Sequence, residues 1–429
     1  MANTYLTRTT GSPTNSYKCT FSAWFKKSKT GDNNKELISE YTDSNNRTYI
    51  GFNASDQFQF GSYQSSSWVN DFYFSRIFRD VSAFYNFVIA IDTTLSTASD
   101  RVKIYINGVL DTSVAGSPTY FSQNSSVALN SASKNLQIGA INGSNNFDGS
   151  MSHVHFIDGT AYDASYFGST DSTTGEWKIN TSPSVTYGNN GFFILKDGNT
   201  ITDSSPNSNN FSLGGGTLTK TEDSPSNVFA TLNALIPSNG TLTNGNLTYA
   251  SSNSSSNFGY RLSTLGVSSG KYYVECKPIS GCNASSIGIR SKITTSVNHQ
   301  VGYYADDYAV YTNGQKFTND SLTSYGTSYT TGDIIGIALD LDNNKLYFHK
   351  NGTYMNSGVP TSGSTGTGAI SITASSSSNS GNYFFGCSNH DSSNNGTWSW
   401  NFGNGYFGTT AVTTNSGNGY SGAEGSSKF

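Results

Sequence analysis

One short phrase of sequence is written twice in this chain. Arg101-Val102-Lys103-Ile104-Tyr105-Ile106 alternates apolar and polar side chains, runs into Asn107-Gly108, and resumes as Val109-Leu110-Asp111. Lys345-Leu346-Tyr347-Phe348-His349-Lys350 runs in the same way into Asn351-Gly352. Period-two alternation sends successive side chains to opposite faces of a strand. An Asn-Gly pair between two such runs is the strongest short hairpin signal, because a type I′ turn needs positive φ at both central positions. Each copy follows a long apolar strand that ends in Asp, Phe87 to Asp92 in one case and Ile334 to Asp340 in the other. The copies are separated by about 240 residues, far beyond a solenoid period and close to one large sandwich domain with its extras. The expected fold is therefore all-β, two antiparallel jelly-roll-type sandwiches in tandem.

Composition agrees. Charged residues are 12% of the 429, and Ser, Thr, Asn and Gly fill the gap, while aromatics reach 14% with 27 Tyr and 26 Phe. A disordered chain would be poor in aromatics and rich in charge. Aromatics favour strands, and Gly, Asn and Ser favour turns. The net charge of −4 offers no basic stripe to neutralise phosphates, so nucleic acid is not an expected partner. No apolar run approaches the roughly 20 residues of a membrane span, so no membrane insertion is expected. Met1 to Tyr5 lacks the basic and apolar regions of a secretory signal, which points to a protein first folded in a cytosol. Cys19, Cys276, Cys282 and Cys387 show no metal-ligand spacing and are expected to be buried or idle thiols. Whether Cys276 and Cys282 bridge a hairpin is left open.

The first domain is assigned to residues 1–238. Its strands include Thr20 to Phe25, Tyr49 to Phe52, Phe58 to Phe60, Leu136 to Gly139 and Gly149 to Ile157. Residues 158–235 are read as a wrap, with one helical turn near Ala161 to Phe167 and a further strand from Gly191 to Leu195. A linker is expected at 239–257, where apolar content falls to little beyond Leu242, Leu247 and Tyr249. The second domain is assigned to 258–408, and 409–429 reads as a Gly/Ser/Thr-rich tail.

Four stretches carry a family resemblance in the second domain: Gly270-Lys271-Tyr272-Tyr273-Val274-Glu275, Gly332-Asp333-Ile334-Ile335-Gly336, Leu339-Asp340 leading to Asn351-Gly352, and Trp400-Asn401-Phe402-Gly403. They occur in the order seen in the SPRY family, which this domain resembles. The first domain, on Phe21 to Phe25, Val102 to Gly108 and Phe147-Asp148-Gly149, is similar to laminin-G-like, concanavalin-type lectin sandwiches. Between them, Asp223-Ser224-Pro225-Ser226-Asn227-Val228-Phe229-Ala230-Thr231-Leu232-Asn233 looks like the connector of marine bacteriophage structural proteins. It reads as a Pro-punctuated turn followed by a short apolar docking segment. The resemblance implies a virion protein assembled in the host cytoplasm, with other virion proteins and a host-surface glycan or protein as partners, and a homo-oligomeric assembly.

Catalytic constellations are not found in the sequence. A glycosidase needs two carboxylates flanking a cleft, and related glucanases place them as Glu-x-Asp-x-Glu, a triplet missing here. Glu36, Glu40 and Glu176 stand alone, and the neighbours Asp306 and Asp307 would point to opposite faces of a strand. His153 and His155 share a face at i, i+2 without a third ligand that spacing can supply. Gly214-Gly215-Gly216 lacks the Lys and Ser/Thr of a phosphate loop and reads as a flexible turn. The expected reading is no enzyme and no cofactor, with calcium at Asp-rich loops an open option.

Binding needs less. Sugars are held by aromatic faces together with Asn, Asp and backbone groups. In Ser67-Trp68-Val69-Asn70-Asp71-Phe72-Tyr73, Trp68 is a candidate platform with Asp71 and Tyr73 beside it, the alternative for Trp68 being the core. In the second domain Tyr303-Tyr304-Ala305-Asp306-Asp307-Tyr308 is the loop richest in acids and aromatic anchors; Tyr303, Tyr304, Asp306, Asp307 and Tyr308 are its candidate contacts, and a solvated turn is the alternative. The leading functional expectation is a phage virion surface protein, a fibre or receptor-binding subunit contacting host glycans or proteins. Rivals are a capsid-decorating or tail structural protein, a depolymerising tailspike, and an intracellular peptide-holding scaffold.

Overall fold

A computed structural model describes residues 3–31, 34–196, 200–252, 258–294, 299–390 and 395–412. The chain divides into two compact units, Met1–Lys220 with Ser224–Val228, and Thr221–Asp223 with Phe229–Phe429. Each is a two-sheet antiparallel sandwich, as the alternation requires.

In the first unit an eight-stranded sheet runs, in spatial order, Val114–Thr119, Ser67–Ile77, Gln57–Gln64, Asn46–Phe52, Lys35–Asp43, Asn135–Ile138, Tyr5–Thr9 and Ser212–Gly215. A six-stranded sheet runs Phe192–Ile194, Gly149–Asp158, Lys18–Lys27, Tyr85–Asp92, Val102–Ile106 and Val109–Leu110. Phe52, Phe58, Phe60, Phe72 and Phe74 from the first sheet meet Phe21, Phe25, Phe87 and Ile89 from the second in one buried cluster. Phe87 is its hub, edge-on to Phe25 at 4.9 Å, Phe58 at 5.0 Å and Phe78 at 5.2 Å between ring centroids. Such edge-to-face pairs add about 0.5–1.5 kcal/mol each beyond area burial, which gives the high Phe content a structural purpose. The expected wrap lies over the outer face of the six-stranded sheet, where Ala164 and Phe167 pack on Val88 and Ile157. Its short helical turn, Ala164–Tyr166, is capped by the Asp163 carboxylate, which accepts from Ser165 N at 2.9 Å.

In the second unit an eight-stranded sheet runs Gly240–Thr243, Thr248–Ser251, Thr397–Asn401, Lys271–Ser280, Ile335–Asp340, Lys345–Lys350 and Thr353–Tyr354, with Ile370–Ser371 also paired to Lys345–Lys350. The six-stranded partner runs Tyr260–Leu262, Phe384–Asn389, Ser285–Arg290, Tyr308–Tyr311, Lys316–Thr318 and Ser321–Thr323. Trp398, Trp400, Tyr249, Ile287, Ile337 and Phe348 are among the side chains sealed between the sheets.

The written repeat is a structural one. In each unit five consecutive strands of one sheet follow the same order: a late strand, the first long strand, the apolar strand ending in Asp, the Lys-x-Tyr strand, and the short strand after Asn-Gly. Lys18 opposes Asp92 and pairs with it at 2.9 Å; Lys271 opposes Asp340 and pairs with it at 3.1 Å. Both hairpin turns have positive φ at both central residues, 48° and 81° at Asn107 and Gly108, 49° and 86° at Asn351 and Gly352. Each turn Asn is clamped to the neighbouring strand twice. Asn107 N donates to Asn86 O at 2.9 Å while its Oδ1 accepts from Asn86 N at 2.8 Å. Asn351 repeats this with Ile334 at 2.8 and 2.7 Å.

Two expectations are corrected. The stretch 239–257 is not a linker: Gly240–Thr243 and Thr248–Ser251 form a hairpin in the second sandwich, and Tyr249 is fully buried, stacked on Trp398 at 5.7 Å. Few apolar residues suffice there because one large ring fills the site and the turn residues Asn244, Gly245 and Asn246 all adopt positive φ. Residues 253–257 of that stretch lie outside the described residues. Nor is Gly214-Gly215 a turn. Both belong to the edge strand Ser212–Gly215 paired with Tyr5–Thr9, and the Tyr5 ring occupies the space a side chain at Gly214 would need. Within the predicted tail, Thr410–Ala411 pairs with Tyr406–Phe407; residues 413–429 lie outside the described residues.

The connector behaves as its sequence reads. Ser224 and Asn227 close a turn through reciprocal backbone hydrogen bonds of 3.2 and 3.0 Å, and Asp223 Oδ1 accepts from Phe229 N at 3.0 Å. Leu232 then enters the second core, with its N–H on Asn246 O at 2.9 Å.

Candidate binding surfaces

Strand Ser67–Ile77 buries Phe72 and Phe74 in the first core, so period two turns Asp71 and Tyr73 outward. A register shift beside Tyr63 then brings Trp68 to the same outer face, where its ring approaches Gly61 and Tyr49. Trp68 is 38% exposed and so lies outside the core; Tyr73 is likewise 38% exposed. Cross-strand pairing sets the rest of the surface. Tyr63 opposes Trp68 and meets it edge-on at 4.9 Å, and Arg47 on the next strand lays its guanidinium 4.7 Å from the Tyr63 ring centre and 5.8 Å from that of Trp68. Arg47 is itself anchored by a hydrogen bond to Ser44 O. Gln59 Nε2 donates to Tyr49 Oη at 3.2 Å beside Asp71. Tyr63, Arg47 and Gln59 were missed in the sequence. The only signal for them was register, which no single strand displays.

Glu36 and Asp71 are among the carboxyls of this sheet held away from ordinary behaviour. Burial raises the Glu36 acid to about 8, offset in part by a hydrogen bond from Asn145, and its carboxyl lies directly over Gly51, where a Cβ would come within 2.5 Å of it. Burial also raises Asp71, offset by a hydrogen bond from Gln59. Glu36 is only 2% exposed, so a ligand on this face meets Trp68, Tyr73 and Arg47 before it meets that acid.

In the second unit the predicted loop lies at one end of the sandwich, and its residues divide. Tyr303 stacks on His299 at 3.8 Å and Tyr304 meets both rings edge-on, with Lys292 Nζ 4.1 Å from the Tyr304 ring centre. Burial, then the Arg290 and Lys292 charges, lower the His299 pKa. Asp306 accepts from Asn379 N at 3.1 Å, tying this loop to the 375–382 segment. Asp307 and Tyr308 are not surface contacts, contrary to expectation. Asp307 is fully buried, pairs with the equally buried Arg290 at 2.8 Å, and accepts from the backbone of Gly302 and Tyr304, both at 3.3 Å. It holds the loop in place from beneath. Tyr308 is buried with its hydroxyl on Thr373 Oγ1 at 3.0 Å. His299 and Lys292 are the members of this cluster that sequence reasoning missed.

The other motifs resolve into packing. His155 stacks on Phe193 at 3.9 Å with Nδ1 on Tyr187 Oη at 2.9 Å, and burial lowers its pKa well below the usual value. His153 lies 2.8 Å from Ser152 Oγ through Nδ1. Among the described residues no three His, Cys, Asp or Glu side chains gather as metal ligands. All four cysteines are free and buried.

Known proteins share these two folds. The family of concanavalin A-like lectins and glucanases, in its laminin-G form, matches residues 1–165, and the SPRY domain family matches residues 271–388. Ran-binding protein 9 of Danio rerio is 34% identical over 92 residues, which are 19% of this chain and 14% of that protein. The SPRY domain of human HERC1 is 16% identical, covering 36% of this chain and 87% of its own, with a TM-score of 0.28. Stonustoxin is 18% identical over 40% of this chain and 27% of its own, with a TM-score of 0.30. The chain spans about one seventh of the curated relative it matches. It carries a laminin-G/concanavalin-like domain followed by a SPRY domain.

Proposed function

We propose that this chain is a non-enzymatic binding protein on the surface of a phage particle, a fibre or receptor-binding subunit that contacts a host-surface glycan through its first sandwich. The observation that carries the glycan reading is the outward Trp68, backed by Tyr63 and Arg47 on a sheet face and flanked by Asp71 and Tyr73. An exposed, braced indole offers a flat apolar face to a sugar ring, and neighbouring polar groups can meet its hydroxyls. The Tyr303–Tyr304–His299 cluster in the SPRY domain supplies a second contact, suited to a peptide of another virion protein or of the host. The phage assignment draws its support from the Asp223 to Asn233 connector. A homo-oligomeric assembly within the virion accompanies it.

Immunogold electron microscopy of purified particles with an antibody against this chain tests the assignment. Label at fibre or tail tips supports host recognition. Label spread over the capsid supports the decoration role instead. A chain absent from particles altogether overturns the virion reading. Trp68→Ala then tests the glycan contact: binding to host surface polysaccharide is expected to fall at least tenfold, about 1.4 kcal/mol, with the fold unchanged.

A further inference from the structure

The outer face of the eight-stranded sheet holds a second exposed ring besides Trp68, and its position bears on the length of the ligand. Tyr73 stands on the same strand and the same face, with the same 38% exposure. Its phenolic oxygen lies 3.4 Å from where a Cβ of Gly116 would be, so the ring leans over an edge strand that has no side chain at that point. On the neighbouring strand Trp68 opposes Tyr63 and Tyr73 opposes Gln59, a separation of four residues or about 13 Å at the usual strand rise. Between the two rings the surface is polar, with half-buried Asp71 and Gln59.

We infer that the ligand of this face is a linear polysaccharide bound in extended form along the strand, one ring on Trp68 and a later ring on Tyr73, so that the site reads chain length. The inference rests on the glycan reading above and deepens it. A monosaccharide covers one platform only, and the two side chains leave the sheet at register positions about 13 Å apart along the strand, so a ring on each calls for a longer fragment. Both aromatics are needed at once only by a longer fragment. Two platforms on one rigid strand act as linked sites, and the second contact is gained without a second loss of translational freedom.

The test uses the full chain on an array of bacterial capsular and lipopolysaccharide fragments printed as length-graded series from monosaccharide to hexasaccharide, with Trp68→Ala and Tyr73→Ala alongside. The expected result is affinity that climbs at least tenfold between disaccharide and hexasaccharide in the bound series. Tyr73→Ala is expected to erase that climb, lowering hexasaccharide affinity far more than disaccharide affinity, and Trp68→Ala to weaken every length. Both residues are exposed, so both variants are expected to keep native unfolding curves, which are measured with them. Equal affinity across lengths, or a Tyr73→Ala chain that still gains with length, overturns this inference and leaves the Trp68 site standing. Binding to no fragment of any length overturns the glycan reading and this inference together.

Discussion

Glu36 and Asp307 are both buried acids, and burial raises the pKa of each, but different neighbours set what each does for stability. For Glu36 burial outweighs the hydrogen bond from Asn145, and it titrates near 8, against about 4.5 when unfolded. Between those values the folded chain holds a proton that the unfolded chain releases. Stability therefore declines as pH rises from about 4.5 towards 8, by at most ~1.4 kcal/mol per unit, and levels off above that. Glu36→Gln keeps the shape and removes the titration. Urea midpoints at pH 5 and pH 8.5 should differ less in the variant than in the parent, with the variant the more stable at the alkaline end. Asp307 instead faces Arg290 at 2.8 Å with both side chains fully buried. Removing one partner leaves the other charge uncompensated, so Asp307→Ala should cost about 3–5 kcal/mol in denaturant unfolding. Asp306→Ala, which loses one hydrogen bond to Asn379, should cost about 1 kcal/mol. Adjacent in sequence and identical in type, these two residues could not be told apart before the fold was known. The difference lies in Arg290, at the end of strand Ser285–Arg290, and nothing local announces it.

At the level of elements the hairpins were legible and the joins between them were not. Asn107-Gly108 and Asn351-Gly352 each dictate their own turn through backbone conformation alone, so four residues carry the whole instruction. Both glycines occupy positive φ, where any other side chain costs about 1–2 kcal/mol. At Gly108 a Cβ would also come within 2.4 Å of the Trp177 ring, which belongs to the wrap and lies far away in sequence. Gly108→Ala should therefore destabilise its sandwich by more than the strain alone. The urea midpoint of the variant checks this; a loss no larger than about 1–2 kcal/mol would mean that Trp177 moves aside freely. The same distinction explains the Trp68 surface. Trp68, Asp71 and Tyr73 share one strand and could be read together, whereas Tyr63 and Arg47 join them only through pairing register. The false linker has the same cause, since Tyr249 earns its place by stacking on Trp398, about 150 residues away in the chain.

Across the whole molecule, the free cysteines provide a built-in report on the two sandwiches. Cys19 lies in the first core, and Cys276, Cys282 and Cys387 lie in the second. All four are buried, and burial pushes Cys19 and Cys276 up and Cys282 up to about 12. A thiol reacts as its thiolate and only where reagent can reach it, so the native chain should be inert to a disulfide reagent at pH 8. Reaction then requires opening, and the amplitude tells which core has opened. With increasing urea, labelling followed by mass spectrometry should advance in two steps, one thiol accompanying the first sandwich and three accompanying the second, each step coinciding with loss of the corresponding structure. Gly108→Ala should move the single-thiol step to lower urea and leave the three-thiol step in place, while Asp307→Ala should do the reverse. Simultaneous release of all four in every variant would mean that the two sandwiches unfold as one cooperative body, and rapid labelling of any of them without urea would contradict the burial on which the argument stands.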